Sequence, residues 1–227
     1  MRTQVAVLSA ILFSAPVVLA AAEDREVPAF DSVHVASGIR ATIAVGARRP
    51  VHLEADKDVL EAIETRVEDG TLHVGFKPHS RVSSTGEVIV SIQTPDVHAV
   101  AASGGAMVRA TFTRWPNCAI AASGGGEVHV REVDARQLAV EGSGGAVLDV
   151  AGRADQLDLQ LSGGSHFDAR EFEARNVDLH GSGGSVADLR ATGKVRGGLS
   201  GGSEVHVRGG ARAHVSTSGG SEISVAD

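Results

Sequence analysis

The tripeptide Ser-Gly-Gly returns seven times along the chain, with its serines at Ser103, Ser123, Ser143, Ser162, Ser182, Ser200 and Ser218. Successive serines are 20, 20, 19, 20, 18 and 18 residues apart. A repeat this short cannot bury an apolar face by itself, so a fixed period of this size requires each copy to stack on its neighbours.

Aligned on the serine, the copies form columns. Five residues after it stand Val108, Val128, Leu148, Phe167, Ala187, Val205 and Ile223, and seven after it Ala110, Val130, Val150, Ala169, Leu189, Val207 and Val225. Between these apolar columns runs a polar one: Arg109, His129, Asp149, Asp168, Asp188, His206 and Ser224. Alternation with period two is the pattern of a strand with one face buried. The arm before the serine behaves likewise, with Val100, Ile120, Val140, Leu159 and Leu179 three places back and Gly197 the one gap in that column. Each repeat therefore reads as strand, Ser-Gly-Gly turn, strand, then a variable arc such as "TFTRWP", "REVDAR" or "REFEAR". The expected fold is all-β: a parallel β-helix, or β-solenoid, with coils of 18–20 residues, right-handed by the general crossover rule. Seven parallel coils give a rod on the order of 34 Å long.

Before Asp96 the pattern is less regular. "FDSVHVASGIRATIAV" has a related strand, Ser-Gly, strand form, "TRVEDGTLHVGF" predicts a hairpin around Asp69-Gly70, and "DKDVLEAIE" predicts one short helix opened by Asp56. "KPHSRVSSTGE" reads as a loop before the strand "VIVSIQ". Residues 23–95 are expected to be the β-rich capping half of one unit, with residues 96–227 the repeat solenoid, because an open solenoid end exposes unpaired strand edges.

The stretches "FDSVHVASGIRATIAV", "EDGTLHVGFK" and "VIVSIQTPDVHAVAASGGAMV", followed in that order by the Ser-Gly-Gly coils, resemble the auto-transporter adhesin head GIN domain family over essentially the whole chain after residue 22. The resemblance implies a β-helical fold in exported bacterial proteins and carries no established activity or catalytic residues with it. An auto-transporter places a membrane barrel after its passenger, whereas the residues up to Asp227 here are still coil.

Residues 1–22 have the layout of a secretory signal peptide: Arg2, an apolar run from Val5 to Leu19, then small residues before Glu23. Cleavage is expected near Ala20 or Ala22. The formal charge of −7 becomes −8 without Arg2, which disfavours a phosphate backbone, so no nucleic-acid partner is expected. No stretch of about 20 apolar residues follows, so no spanning helix is expected. Cys118 is the only cysteine, which leaves no intramolecular disulfide and no lipid-attachment cysteine. It shares a column with Leu138, Leu157, Val177 and Val195 and reads as a small core residue. Periplasmic or secreted localisation follows from these features.

Seven equivalent serines argue against a nucleophile, which occurs once per site with its own base. A phosphate cradle needs a following helix N-terminus, and here a strand follows. "GGSHFD" and "GGSVAD" approach the calcium-binding nonapeptide pattern, but those coils repeat every nine residues. No cofactor and no metal are expected. The outward column of His129, Asp149, Asp168, Asp188 and His206 is the candidate ligand surface. Its stacked carboxylates repel one another unless compensated, and Arg131, Arg170, Arg190 and Arg208, two places further along, predict lateral Asp–Arg pairing. The expected function is a non-catalytic binding, adhesion or scaffold module of the bacterial cell envelope. Its partner would be an envelope or extracellular polymer, or another copy through the open C-terminal coil. The alternative is a polysaccharide-active lyase or hydrolase-like β-helix enzyme, for which Asp149, Asp168 and Asp188, or Asp158 and Asp178, are the nearest paired carboxylates.

Overall fold

The structure, a computed structural model, describes residues 21–80 and 86–226. The expected signal peptide lies outside the described residues apart from Ala21 and Ala22, which open the first strand. In chain order the strands are β1 (Ala21–Arg25), β2 (Ser32–Ala36), β3 (Arg40–Val45) and β4 (Val51–Ala55), then the helix α1 (Lys57–Ala62), then β5 (Ile63–Glu68), β6 (Thr71–Phe76) and β7 (Ile89–Thr94). The repeats follow as β8 (Ala99–Ser103), β9 (Met107–Thr111), β10 (Asn117–Ser123), β11 (Glu127–Ser143), β12 (Val147–Leu161), β13 (His166–Gly181), β14 (Val186–Leu199), β15 (Glu204–Arg208), β16 (Arg212–Thr217) and β17 (Glu222–Ala226).

These strands form a β-solenoid. The arms before each Ser-Gly-Gly turn pair in parallel as β2, β8, β10, the second halves of β11 to β14, and β16. The arms after it pair as β3, β9, the first halves of β11 to β14, β15 and β17. Period-two burial follows: Val108, Val128, Leu148, Phe167, Ala187 and Val205 are all 3% exposed or less, and Cys118 is buried in its expected column. Parallel sheets of this kind are stable because both arms face one shared core.

The arcs, variable in sequence, are more regular in structure. In β11 to β14 they pair as well, Asp134 with Arg153, Arg153 with Glu173, and Glu173 with Arg190. They thus add a third parallel face, which Val133, Phe172, Ala174 and Ala191 close from inside. The uneven 18–20 residue spacing is absorbed there as register shifts between Val130 and Val133, Asp149 and Gly152, and Ala169 and Glu173. The first arc, residues 112–116, and the last, residues 209–211, lie outside the strands.

Six of the seven corners fall into two kinds, and the seventh, at Ser218, combines them, with both glycines at positive φ and Ser221 Oγ donating to the Ser218 carbonyl at 2.9 Å. At Ser103, Ser123 and Ser143 both glycines have positive φ and the next residue is Ala106, Gly126 or Ala146. At Ser162, Ser182 and Ser200 that next residue is a buried serine. The hydroxyls of Ser165, Ser185 and Ser203 donate to the carbonyl oxygens of Ser162, Ser182 and Ser200 at 2.7, 2.6 and 3.0 Å. The serine three places after that of the repeat thus closes each of these corners, and Ser200 Oγ also donates to the Gly181 carbonyl of the coil below at 3.5 Å. Gly183 shows why glycine is required at the bend: its φ is +74°, and a Cβ there would stand 2.8 Å from the Gly163 carbonyl oxygen of the coil below.

Residues before Asp96 build the other end of the stack, but not in chain order. The coil of β2, Ser37-Gly38 and β3 lies between β6–β7 and β8–β9, pairing in parallel with both. β5 closes one face as an antiparallel hairpin partner of β6 around Asp69 and Gly70, both at positive φ. β4, antiparallel to β7, and then β1, antiparallel to β4, close the other. The helix α1 follows its N-cap residue Asp56 and turns Val59 and Leu60 into the core.

Candidate functional site

The outward column is assembled in register. His129 pairs with Asp149, Asp149 with Asp168, Asp168 with Asp188, and Asp188 with His206. Compensation is local and unequal along it. Arg131 closes Asp149 with two parallel bonds, Nη1 to Oδ1 at 2.9 Å and Nη2 to Oδ2 at 2.7 Å, and His129 Nδ1 lies 3.2 Å from Oδ2. Arg170 folds back on Asp168 of its own coil, with Nε 2.9 Å from Oδ1. Arg190 turns away from Asp188 to Glu173 at 3.3 Å. The Asp188 side chain makes no hydrogen bond or ion pair among the described residues, and His206 bonds Ser224 Oγ at 2.8 Å and lies 3.2 Å from Glu204. Expected Asp–Arg pairing thus holds for Asp149 and Asp168 and fails at Asp188, where a shallow hollow of about 330 Å³ is lined by Arg170, Asp188, Arg190, His206 and Arg208.

The electrostatics follow from these bonds. Arg131, with a smaller contribution from His129, holds the Asp149 carboxyl below the usual carboxylate range, and Arg170 does the same for Asp168. A carboxyl whose folded value is depressed stabilises the fold fully above its unfolded value near 4, and that stabilisation is lost as pH falls through the lower folded value. Unfolding stability is therefore expected to decline on acidification below about pH 4. Asp149→Asn should remove part of that decline, by no more than about 1 kcal/mol because the pair is partly solvated. Urea unfolding midpoints at neutral and acid pH check this, and an unchanged acid limb in the variant would refute it.

Among the described residues, no three His, Cys, Asp or Glu side chains come together to hold a metal ion. Asp158 is bonded by the side-chain amides of Gln137 and Gln156, and Asp178 lies 3.3 Å from His180. Burial pushes the Cys118 thiol up to about 11, which leaves it protonated and unreactive. Three histidines, His34, His73 and His98, make ring contacts. His34 and His73 meet edge to face at 5.6 Å, and burial together with His73 lowers the His34 value. His98 stacks on Trp115 at 4.8 Å with an interplanar angle of 6°.

Two grooves escape a residue-by-residue reading of the sequence because they belong to the spacing between coils. One, of about 550 Å³, runs along the corners from Ser103 to Ser200, floored by small residues such as Ala101, Ala121 and Gly181. The other, of about 900 Å³, lies on the third face between Trp115 and Thr192. The isolated tryptophan in an arc was the available signal for the second.

Solved structures share the architecture. One described as a "putative adhesin" from Bacteroides fragilis is 17% identical with a TM-score of 0.79, over 92% of this chain and 96% of that one. A second "putative adhesin", from Parabacteroides merdae, is 16% identical with a TM-score of 0.68 over the same shares. A "putative lipid binding protein" from Parabacteroides distasonis is 13% identical with a TM-score of 0.67, again over 92% and 96%. At these identities the likeness shows the fold. No curated protein matches the chain. The family model described as "Putative auto-transporter adhesin, head GIN domain" matches residues 29–211, from the strand before Ser37-Gly38 to the last complete coils, and the chain belongs to that family.

Proposed function

We propose that the chain is an exported, non-catalytic module of the bacterial envelope, in the periplasm or outside the cell, that holds an extended envelope or extracellular polymer along its stacked faces. The observation that carries this is the in-register repetition of outward side chains and grooves along the coils, an array suited to a partner that is itself extended. The apolar run at the N-terminus supports export, and no described helix is long and apolar enough to cross a membrane. Ala21 pairs with Ala55 in β1, so processing after Ala20 would leave that strand whole.

General acid–base cleavage of a polysaccharide needs two carboxyls with values pushed apart, one of them raised. Asp149 and Asp168 are both lowered, each by its own arginine, which supports a structural role for the column. The test is a glycan array with the mature protein and the triple variant Asp149→Asn, Asp168→Asn, Asp188→Asn. Polymer binding that survives in the variant is expected. Loss of binding only in the variant would move the site onto the column, and release of new sugar ends on long incubation would replace this reading with the enzyme.

A second reading, self-association, rests on the last coil. β16 and β17 each have one strand neighbour among the described residues, and Val225 is 47% exposed. Small-angle scattering over a concentration series tests it, with a monomer at every concentration counting against it.

A further inference from the structure

The groove of the third face carries its own chemistry. Its outward residues form two rows along the stack. In the first, Asp134, Arg153, Glu173 and Arg190 alternate in sign and neutralise one another, Arg153 bonding Asp134 at 2.9 Å and Arg190 lying 3.3 Å from Glu173. In the second, Arg136, Asp155 and Arg175 also alternate, one per coil. Here no hydrogen bond or ion pair joins the side chains to any described residue, and Arg136 and Arg175 are exposed. Two guanidinium groups left free beside a carboxylate they do not contact have their charge available to a ligand. The Pro116 carbonyl accepts the Arg136 backbone N–H at 3.0 Å, which ties this row to the neighbouring arc. At that end stands Trp115, 40% exposed, with one face of its indole held by the His98 ring.

We infer that this groove binds an acidic polysaccharide carrying a carboxylate on every second sugar, lying along the stack. Arg136 and Arg175 are two coils apart, roughly 10 Å, the span of two extended pyranose units. Each guanidinium takes one carboxylate, Asp155 between them accepts hydroxyl or amide N–H donors from the intervening neutral sugar, and Trp115 stacks on a sugar ring at the end of the groove. A polymer acidic at every sugar would set a carboxylate against Asp155. Single-stranded nucleic acid would need several aromatic platforms where the groove has one, and its dense charge meets a chain of net charge −7. The inference rests on reading the chain as a binding module and names that module's site and ligand class.

Trp115 is the only tryptophan, so its fluorescence reports on this groove alone. Hyaluronan oligosaccharides, in which glucuronate alternates with a neutral sugar, should shift the emission at low salt and less so at high salt. Polygalacturonate should bind more weakly, and dextran and oligothymidylate should have no effect. Arg136→Ala and Arg175→Ala should each weaken hyaluronan binding about tenfold, and Asp155→Asn should bring polygalacturonate up to hyaluronan. Both arginines are exposed, so the variants should keep the native circular dichroism. Equal response to dextran or oligothymidylate, equal binding of the two acidic polymers to the unaltered protein, or full affinity in the Arg136→Ala, Arg175→Ala double variant would each overturn the assignment. If the array finds a partner of another class and hyaluronan leaves the emission unchanged, the site is wrong and the module stands; if the array finds no partner at all, the module reading itself fails.

Discussion

Gly197→Ala is expected to destabilise the protein by roughly 3 kcal/mol or more, read as a shift in the urea unfolding midpoint. Gly197 has φ +135°, and a Cβ there would stand 1.7 Å from the carbonyl oxygen of Leu179 in the preceding coil. That oxygen cannot move aside, because Leu179 and Gly197 are ladder partners and Gly197 is paired again with Val215 on its other side. The neighbouring Gly198→Ala is the control. Its φ is not in the left-handed region and its nearest contact is the Ser216 carbonyl at 3.9 Å, so a change within about 0.5 kcal/mol is expected. Equal stability of the two variants would mean that the coils do not approach so closely at Gly197. The gap in the apolar column three places before the serine therefore has a cause: at this φ a side chain would run into the backbone of the preceding coil.

Phe167→Ala is expected to cost about 3–5 kcal/mol. The ring is fully buried, with Leu148 and Ala187 as its ladder neighbours in the same inward column. Ala187 is the one small residue of that column, so the phenyl ring fills room that Ala187 leaves. A globular core relaxes partly around a cavity, but these coils are held at fixed separation by hydrogen bonds on three faces, which leaves less freedom to collapse. Adding Ala187→Leu to Phe167→Ala should recover part of the loss. A double variant no more stable than the single one would show that the two side chains do not share that space.

The parts of the fold legible in the sequence are those written in local periodicity. Val108 through Val205 fall in one buried column and the Asp149 column stacks in register, because alternation and a constant corner are enough to specify both. Three things depend on information the period does not carry. The arcs read as variable because their lengths differ, yet Val133, Gly152 and Phe172 align once bulges absorb the difference. The partner of each arginine is a choice among several carboxylates within reach, and Arg190 takes Glu173 where spacing alone points to Asp188. The stacking of His98 on Trp115 joins the start of one coil to the arc after it, and no spacing rule predicts a ring contact.

The placement of β2–β3 between two later segments has a consequence for how the molecule can be taken apart. Coils at the C-terminal end sit in the order in which they are synthesised, so cutting after Leu199 or Ser182 removes outer layers and leaves every inner pairing intact. The β2–β3 coil is made early, yet its neighbours arrive only with Thr71 and Ala99. It acts as a keystone: growth of the rod cannot begin by simple accretion from the first coil, and excising residues 32–45 would separate the capped end from all that follows. Shortening from one end and from the other are therefore different operations, tolerant layer by layer at the C-terminal side and all-or-nothing at the N-terminal side.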